Sequence, residues 1–220
     1  NPVSLRSAAT ILEHMDKDRY EPYIVEIEGK NWQVHIKDGV TVPVDRNDFS
    51  FLMGSTKKVF DYAYITIHGT PGENGVFEGY LRLMRIPFST CDVLASALTF
   101  NKFVLNKTMK SCKVNVANSR RLRKGDPVDP DKIIRKVGLP CFIKPTDGGS
   151  SFGTTKVKTR EQIIPAVEEA FKENSEIMIE SFMQGIEVTN GYYKTRKREV
   201  RLPVTEVVPK SDFFDYDAKY

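Results

Sequence analysis

The chain has little cysteine, and what it has follows no pattern. Cys91, Cys112 and Cys141 are three isolated cysteines, an odd number without CxxC spacing. That argues against a disulfide framework or a cysteine metal cage, and it reads as reduced, mostly buried thiols of a cytoplasmic protein. No apolar run approaches the ~20 residues a membrane-spanning helix needs, and no basic segment leads into an apolar one as in a signal peptide. An excess of one charge is also missing: 33 Lys and Arg face 29 Asp and Glu, for a net charge of +4. Basic residues gather at Arg120, Arg121, Arg123 and Lys124 and again over residues 194–198. Neither cluster has the dense stripe and interleaved aromatics that nucleic acid asks for, so both read as solvated turns. No repeat and no low-complexity linker is present. What remains is an ordinary globular balance, 40% hydrophobic and 28% charged over 220 residues, long enough for one large domain or two small ones.

The apolar spacing divides the chain. Ser4 reads as the N-cap of a helix carrying Leu5, Ala8, Ala9 and Leu12 on one face, widened by Ile11 and Met15. A helix this early implies that a first strand is absent. Residues 23–28 and 32–36 read as a strand pair around Gly29-Lys30, and residues 62–67 as a buried, β-branched strand. That strand runs into the glycine-rich turn His68-Gly69-Thr70-Pro71-Gly72-Glu73-Asn74-Gly75. A helix with Val76, Tyr80, Leu83 and Met84 as its apolar face follows, then a short strand at 86–89 and a mostly helical stretch at 92–109. The alternation predicts a doubly wound parallel sheet for residues 1–95, with ligands at the carboxyl ends of its strands.

Residues 96–220 have a different rhythm, α+β. A helix over 129–137 ends at Gly138, a strand covers 141–144, a glycine- and serine-rich loop 147–153 and a second strand 155–158. A helix over 160–172 carries Pro165 in its first turns, where proline is tolerated. Strands at 176–183, 186–194 and 199–208 alternate well enough to be antiparallel, joined by Gln184-Gly185 and by the basic turn.

The loop after Lys144 is the first candidate for chemistry. A lysine at a strand end, then three glycines and two hydroxyls, can cradle a phosphate: glycine lets backbone N–H groups come close, serine adds donors and the ammonium supplies charge. It is not a Walker A loop, and a mobile hairpin is the competing reading. Glu180 and Glu187 border a tight connection containing Phe182 and Met183, a set suited to an adenosine group, although each glutamate alone reads as a solvated charge. Lys102 sits in Thr99-Phe100-Asn101-Lys102-Phe103, where a helical pattern is interrupted; a lone lysine there reads as solvated, and spacing alone does not select it. His68 and Glu73 suit a pocket for a substrate carboxylate, with helix N–H groups aimed at it; a core histidine is the alternative. Residues 213–220 are either an ordered lid or a frayed tail.

In order along the whole chain, these motifs resemble the D-alanine–D-alanine ligases of the ATP-grasp superfamily. Residues 3–8 resemble the family's first helix, and residues 68–75 its HGxxGE[DN]G turn. Lys102 resembles its first ATP-binding lysine, Lys144-Pro145 with Gly149-Ser150-Ser151 and Gly153 its phosphate-covering loop, and Glu180-Ser181-Phe182 with Gly185-Ile186-Glu187 its adenosine-binding strands. Asp215-Tyr216-Asp217-Ala218-Lys219-Tyr220 resembles the opening of its omega loop.

The resemblance implies an α/β N-terminal domain followed by the central α+β part of an ATP-grasp fold, with the C-terminal part missing. It implies an ATP-dependent peptide synthase that joins two D-alanine molecules through an acyl phosphate, for peptidoglycan. Lys102, Lys144, Ser151, Glu180, Phe182 and Glu187 would bind ATP; His68, Glu73 and Lys219 would meet substrate. Ser150 and Tyr220 would belong to a catalytic Glu–Ser–Tyr arrangement, Tyr220 matching the dipeptide formers. A cytoplasmic homodimer is implied, with Mg2+ or Mn2+ ligands expected beyond residue 220 and none within the chain. The arrangement's glutamate should lie just before Asn1, and these 220 residues are expected not to catalyse ligation alone. Another ATP-grasp carboxylate–amine ligase, or a non-catalytic nucleotide-binding module, stays open as an alternative.

Overall fold

The computed structural model describes residues 2–149 and 152–208. They fall into two units that divide between Phe100 and Asn101. Helix α1 runs Pro2–His14, so Ser4 lies inside its first turn instead of capping it. Proline is tolerated at that end because its missing N–H has no partner there. The Ser4 hydroxyl takes another role, accepting the His68 N–H at 3.0 Å.

Strands β1 (Ile24–Glu28) and β2 (Asn31–His35) pair antiparallel, Ile24 opposite His35 and Glu28 opposite Asn31. Gly29 turns between them at φ 54°, a conformation that costs glycine nothing. Three further short strands follow, β3 (Thr41–Asp45), β4 (Ser50–Met53) and β5 (Thr56–Val59), giving a sheet in the order β1-β2-β3-β4-β5. Its ladders are antiparallel throughout.

The expected parallel sheet is therefore much reduced. Among the described residues, parallel pairing in this unit is the single bridge Ala63–Phe88. The Ala63 N–H donates to Pro87 O at 3.0 Å and the Ser89 N–H to Ala63 O at 3.1 Å. The next rung is intercepted, because the Ser89 hydroxyl accepts the Ile65 N–H at 2.9 Å. The α/β class stands, with helices α2 (Val76–Leu83) and α3 (Val93–Phe100) completing the unit.

The face of α2 also differs from expectation. Val76 and Leu83 are 61% and 79% exposed, while Phe77 and Leu81, one turn apart, are buried. They pack with Val34, Val44, Phe49, Phe51 and Ile86, and Tyr80 and Met84 border that core. Glu78 is buried on the same helix, where one carboxylate oxygen accepts hydroxyls of Thr90 and Ser96 at 3.2 and 3.4 Å.

In the second unit, Asn101 separates α3 from α4 (Lys102–Ser111) and caps it, its side chain accepting the Val104 N–H at 2.9 Å. Strand β6 (Ser119–Arg123), helix α5 (Pro130–Val137), strands β7 (Cys141–Pro145) and β8 (Thr155–Val157), helix α6 (Ile163–Glu173) and strand β9 (Glu176–Ser181) follow. They build an antiparallel sheet in the order β6-β9-β7-β8. Helix α5 carries its punctuation in sequence: the Asp129 side chain accepts the Lys132 N–H, Pro130 opens the helix, and Gly138 ends it at φ 76°. Leu122, Ile133, Val137, Ile143, Val167 and Ile177 are among the residues of the core between helices and sheet.

Two expectations are corrected here. The arginine cluster at 120–123 lies on strand β6, not on a turn, because Leu122 between the arginines is 2% exposed and anchors the strand. Arg121 and Arg123 both reach Glu176 of β9, at 3.6 and 3.1 Å. Strand β9 does not join the strands after it; it sits between β6 and β7, while β10 (Glu187–Lys194) and β11 (Glu199–Val207) form a two-stranded sheet of their own.

The thiols differ from expectation as well: Cys141 is buried, but Cys91 and Cys112 are exposed. Burial pushes the Cys141 thiol up to about 11. At pH 8 an aromatic disulfide reagent is expected to label Cys91 and Cys112 in the native chain and Cys141 only after denaturation; labelling of all three without denaturant contradicts the packing of β7. The Gly72 position gives a second prediction. A Cβ there would lie 2.5 Å from Ile67 Cβ and 2.7 Å from the Ile67 carbonyl oxygen. Gly72→Ala is expected to lose about 1–3 kcal/mol in a denaturant titration, and an unchanged midpoint counts against this turn.

Candidate functional site

The register of β7 on β9 decides what the sheet displays. Phe142 lies opposite Glu180 and Ile143 opposite Ile179. Side chains alternate along a strand, so Cys141, Ile143, Ile177 and Ile179 enter the core while Phe142, Lys144 and Glu180 leave by the other face. There the Lys144 ammonium and the Glu180 carboxylate form an ion pair with a hydrogen bond. Their side chains are 21% and 19% exposed, so solvent screens the pair less than a surface one. The two residues read in sequence as a phosphate ligand and an adenosine ligand are thus direct neighbours.

Phe182 follows β9 on the same side. Its N–H donates to Pro140 O at 3.1 Å and its ring centroid is 6.1 Å from that of Phe142, tilted by 43°. Met183 and Ile186 beyond it are exposed. Two exposed apolar side chains beside a tilted aromatic pair and a carboxylate give a surface suited to a purine.

Lys102 sits where α4 meets the glycine loop. Its N–H donates to Thr146 O at 2.8 Å and its ammonium to Gly148 O at 2.8 Å. Thr146 is itself fixed, buried and donating from both its N–H and its hydroxyl to Glu176 O at 3.1 Å. Lys144 and Lys102 therefore flank the start of one loop, from different elements. The far end of that loop demands glycine: Gly153 has φ 63°, and a Cβ there would meet Glu173 Cγ at 2.9 Å. Ser150 and Ser151 lie outside the described residues, as do Lys219 and Tyr220.

Glu187 opens β10 and faces Val207 of β11. Among the described residues, no hydrogen bond or ion pair joins it to Lys144 or Glu180.

Two lysines that sequence reading passed over belong to this face. The Lys107 ammonium donates to the Ser119 hydroxyl at 2.7 Å and lies 4.8 Å from the Phe103 ring centroid, and burial, with Lys110 and Lys136 nearby, lowers its pKa. Ser119 in turn donates to Asn106 Oδ1 at 2.9 Å and stands opposite Glu180 in the β6–β9 ladder. Lys156 of β8 lies over the Phe182 ring. Its partner across the ladder is Phe142, a pairing that the sequence alone does not show.

In the first unit, the His68-to-Gly75 turn is closed by its own groups. The Gly72 and Glu73 N–H groups both donate to Gly69 O at 2.9 Å, and Glu73 Oε2 accepts the Gly69 N–H at 2.6 Å. His68 Nε2 is 3.3 Å from the Ser7 hydroxyl. The first helical N–H groups were expected to face an anion. They are already engaged, Val76 N–H by Asn74 Oδ1 at 3.2 Å and Phe77 N–H by Pro71 O at 3.1 Å. Ser4 and Ser7, which hold His68, carried no signal beyond their place on α1.

Comparison with known proteins agrees with the motifs. The family model described as "D-ala D-ala ligase N-terminus" matches residues 1–91, and that described as "D-ala D-ala ligase C-terminus" matches residues 108–220. A D-alanine–D-alanine ligase of Phocaeicola vulgatus is 58% identical over 218 residues, covering 99% of this chain and 67% of the relative. One of Bacteroides thetaiotaomicron is 55% identical over the same share of both chains. Among solved structures, a D-alanyl-alanine synthetase A of Vibrio cholerae superposes with TM-score 0.85 at 27% identity, over 100% of this chain and 66% of that one. A VanG D-Ala:D-Ser ligase of Enterococcus faecalis has the same score and identity, over 99% of this chain and 69% of that one. The chain spans about two thirds of the length of the curated relatives it matches. With both halves matched in order, the chain belongs to the D-alanine–D-alanine ligase family.

Proposed function

We propose that the protein to which this chain belongs joins two D-alanine molecules at the expense of ATP, supplying the dipeptide for peptidoglycan. The observation that carries this reading is the match along 99% of the chain to relatives named as D-alanine–D-alanine ligases. The Lys144–Glu180 pair beside the glycine loop supports it with a site of the right chemistry. In the reaction, a carboxylate oxygen of the first D-alanine attacks the γ-phosphorus of ATP, releasing ADP and leaving an acyl phosphate. The amine of the second D-alanine then attacks the acyl carbon, inorganic phosphate departs, and the amine loses a proton.

Lys144 and Lys102 are the groups to hold the phosphates and offset charge as the phosphoryl group moves, with Ser151 as a donor. Binding of ATP would draw Lys144 toward phosphate and leave the Glu180 carboxylate for the adenosine end, beside Phe182; Glu187 completes that end in this reading. His68, Glu73 and Lys219 serve the substrates, with Ser150 and Tyr220 in the catalytic arrangement. Within the described turn, Glu73 acts through the backbone it closes. A magnesium or manganese ion would neutralise phosphate charge. Among the described residues no group of three or more His, Cys, Asp or Glu is placed to hold one. No described helix is long and apolar enough to cross a membrane; the reading includes a homodimer working in the cytoplasm.

A second reading has its own support, since the D-Ala:D-Ser ligase superposes equally well. Competition between D-alanine and D-serine as second substrate in the full-length protein separates the two. In that protein Lys144→Met is expected to lower kcat/KM for ATP by about 10²–10³-fold, measured as D-alanine-dependent phosphate release. A loss under tenfold would remove Lys144 from the phosphate role, and phosphate release that ignores D-alanine points to another ATP-grasp ligase.

A further inference from the structure

Phe182 is held from three directions. Its backbone N–H is bound to Pro140 O, its ring leans on Phe142, and the Lys156 ammonium lies 4.4 Å from its ring centroid. Strand pairing explains how the lysine gets there. Phe142 and Lys156 are partners across the β7–β8 ladder, flanked by the pairs Cys141–Val157 and Ile143–Thr155. Cys141, Ile143 and Val157 are fully buried on the core side, so Phe142 and Lys156 leave the sheet together on the side of Lys144. No carboxylate among the described residues pairs with Lys156, whereas Lys144, two residues from Phe142 on the same face, takes Glu180.

A cation centred over an aromatic face is attracted by the negative potential of the ring, and the attraction grows as water is excluded. Phe182 is 38% exposed, so its own burial does not fix its rotamer. Removing the cation would let the ring sample other positions, and a ligand stacking on it would have to order it first.

We infer that Lys156 is a positioning residue of the nucleotide site, holding the Phe182 ring at its tilt to Phe142 so that the two rings form a ready wedge for a purine. The inference rests on the reading of this face as the ATP site. Lys156 acts through Phe182 and takes no part in phosphoryl transfer, so its loss should weaken nucleotide binding and spare the chemical step.

The test is steady-state kinetics of the full-length ligase carrying Lys156→Met, Lys156→Arg, Phe182→Leu and the Lys156→Met/Phe182→Leu double change. Lys156→Met is expected to raise KM for ATP about threefold or more, with kcat and KM for D-alanine within about twofold of the parent. Lys156→Arg, which keeps a cation over the ring, is expected to restore KM for ATP. The double variant is expected to match Phe182→Leu alone, because the lysine has nothing left to position. Should the methionine variant fold poorly by thermal melting, Lys156→Gln replaces it. An unchanged KM for ATP in the charge-free variant overturns the proposal, and so does a double variant whose KM is the product of both single effects. If Phe182→Leu itself leaves KM for ATP unchanged, it is the assignment of the ATP site to this face that fails.

Discussion

A one-residue slip of β7 against β9 would drive Lys144 into the layer of Ile143, Ile177 and Ile179, and the cost of burying an unpaired ammonium there forbids it. Burial of one face of this sheet therefore fixes the chemistry shown by the other. Because Ile143 and Cys141 must point toward α5 and α6, Phe142 and Lys144 must point away, and the same rule on β9 delivers Glu180 beside Lys144. The neighbouring strands follow suit, β6 contributing Ser119 next to Glu180 and β8 contributing Lys156 next to Phe142. A hydrophobic core of ordinary composition thus places a compact group of cations, one carboxylate and two aromatic rings on one face of the sheet.

The first unit uses a different device. Its His68-to-Gly75 turn is shaped by glycines that admit no side chain, since a Cβ on Gly75 would press on the Val93 carbonyl oxygen at 2.7 Å. Its glutamate binds the turn itself, the Glu73 carboxylate taking the Gly69 N–H, while the His68 backbone and ring are held by Ser4 and Ser7 of α1. Glu73, which looks in sequence like a ligand for a small molecule, is here first of all a ligand for its own backbone. A glutamate that closes a turn presents the rest of that turn in a fixed shape.

Elements with local punctuation were legible in the sequence. Helix α5 was read over 129–137 with its stop at Gly138, and the interrupted pattern around Lys102 falls where Asn101 separates α3 from α4. Strands β3, β4 and β5 were not legible: all are four or five residues long, β3 carries proline and aspartate and β5 two lysines, and β4, though three of its four residues are apolar, shows no alternation. Strand β6 was hidden by its arginines, since the one buried residue between them, Leu122, makes no period. That β9 lies between β6 and β7 is a fact of long-range pairing that no local pattern encodes. The site divides along the same line. Lys144, Glu180 and Phe182 could be chosen by residue type and by the glycine loop, but that Lys144 and Glu180 bind each other needed the register. Lys107 carried no signal, because a lone lysine in sequence is most often a solvated one, and Lys156 could be chosen only once its pairing with Phe142 was known.

The most direct test of the account is whether the full-length protein, given ATP, magnesium and D-alanine, forms D-alanyl-D-alanine with one phosphate released per dipeptide. The account predicts stoichiometric dipeptide and phosphate, both dependent on D-alanine. Phosphate release without dipeptide, or dipeptide only when another amine or carboxylate is supplied, would contradict it.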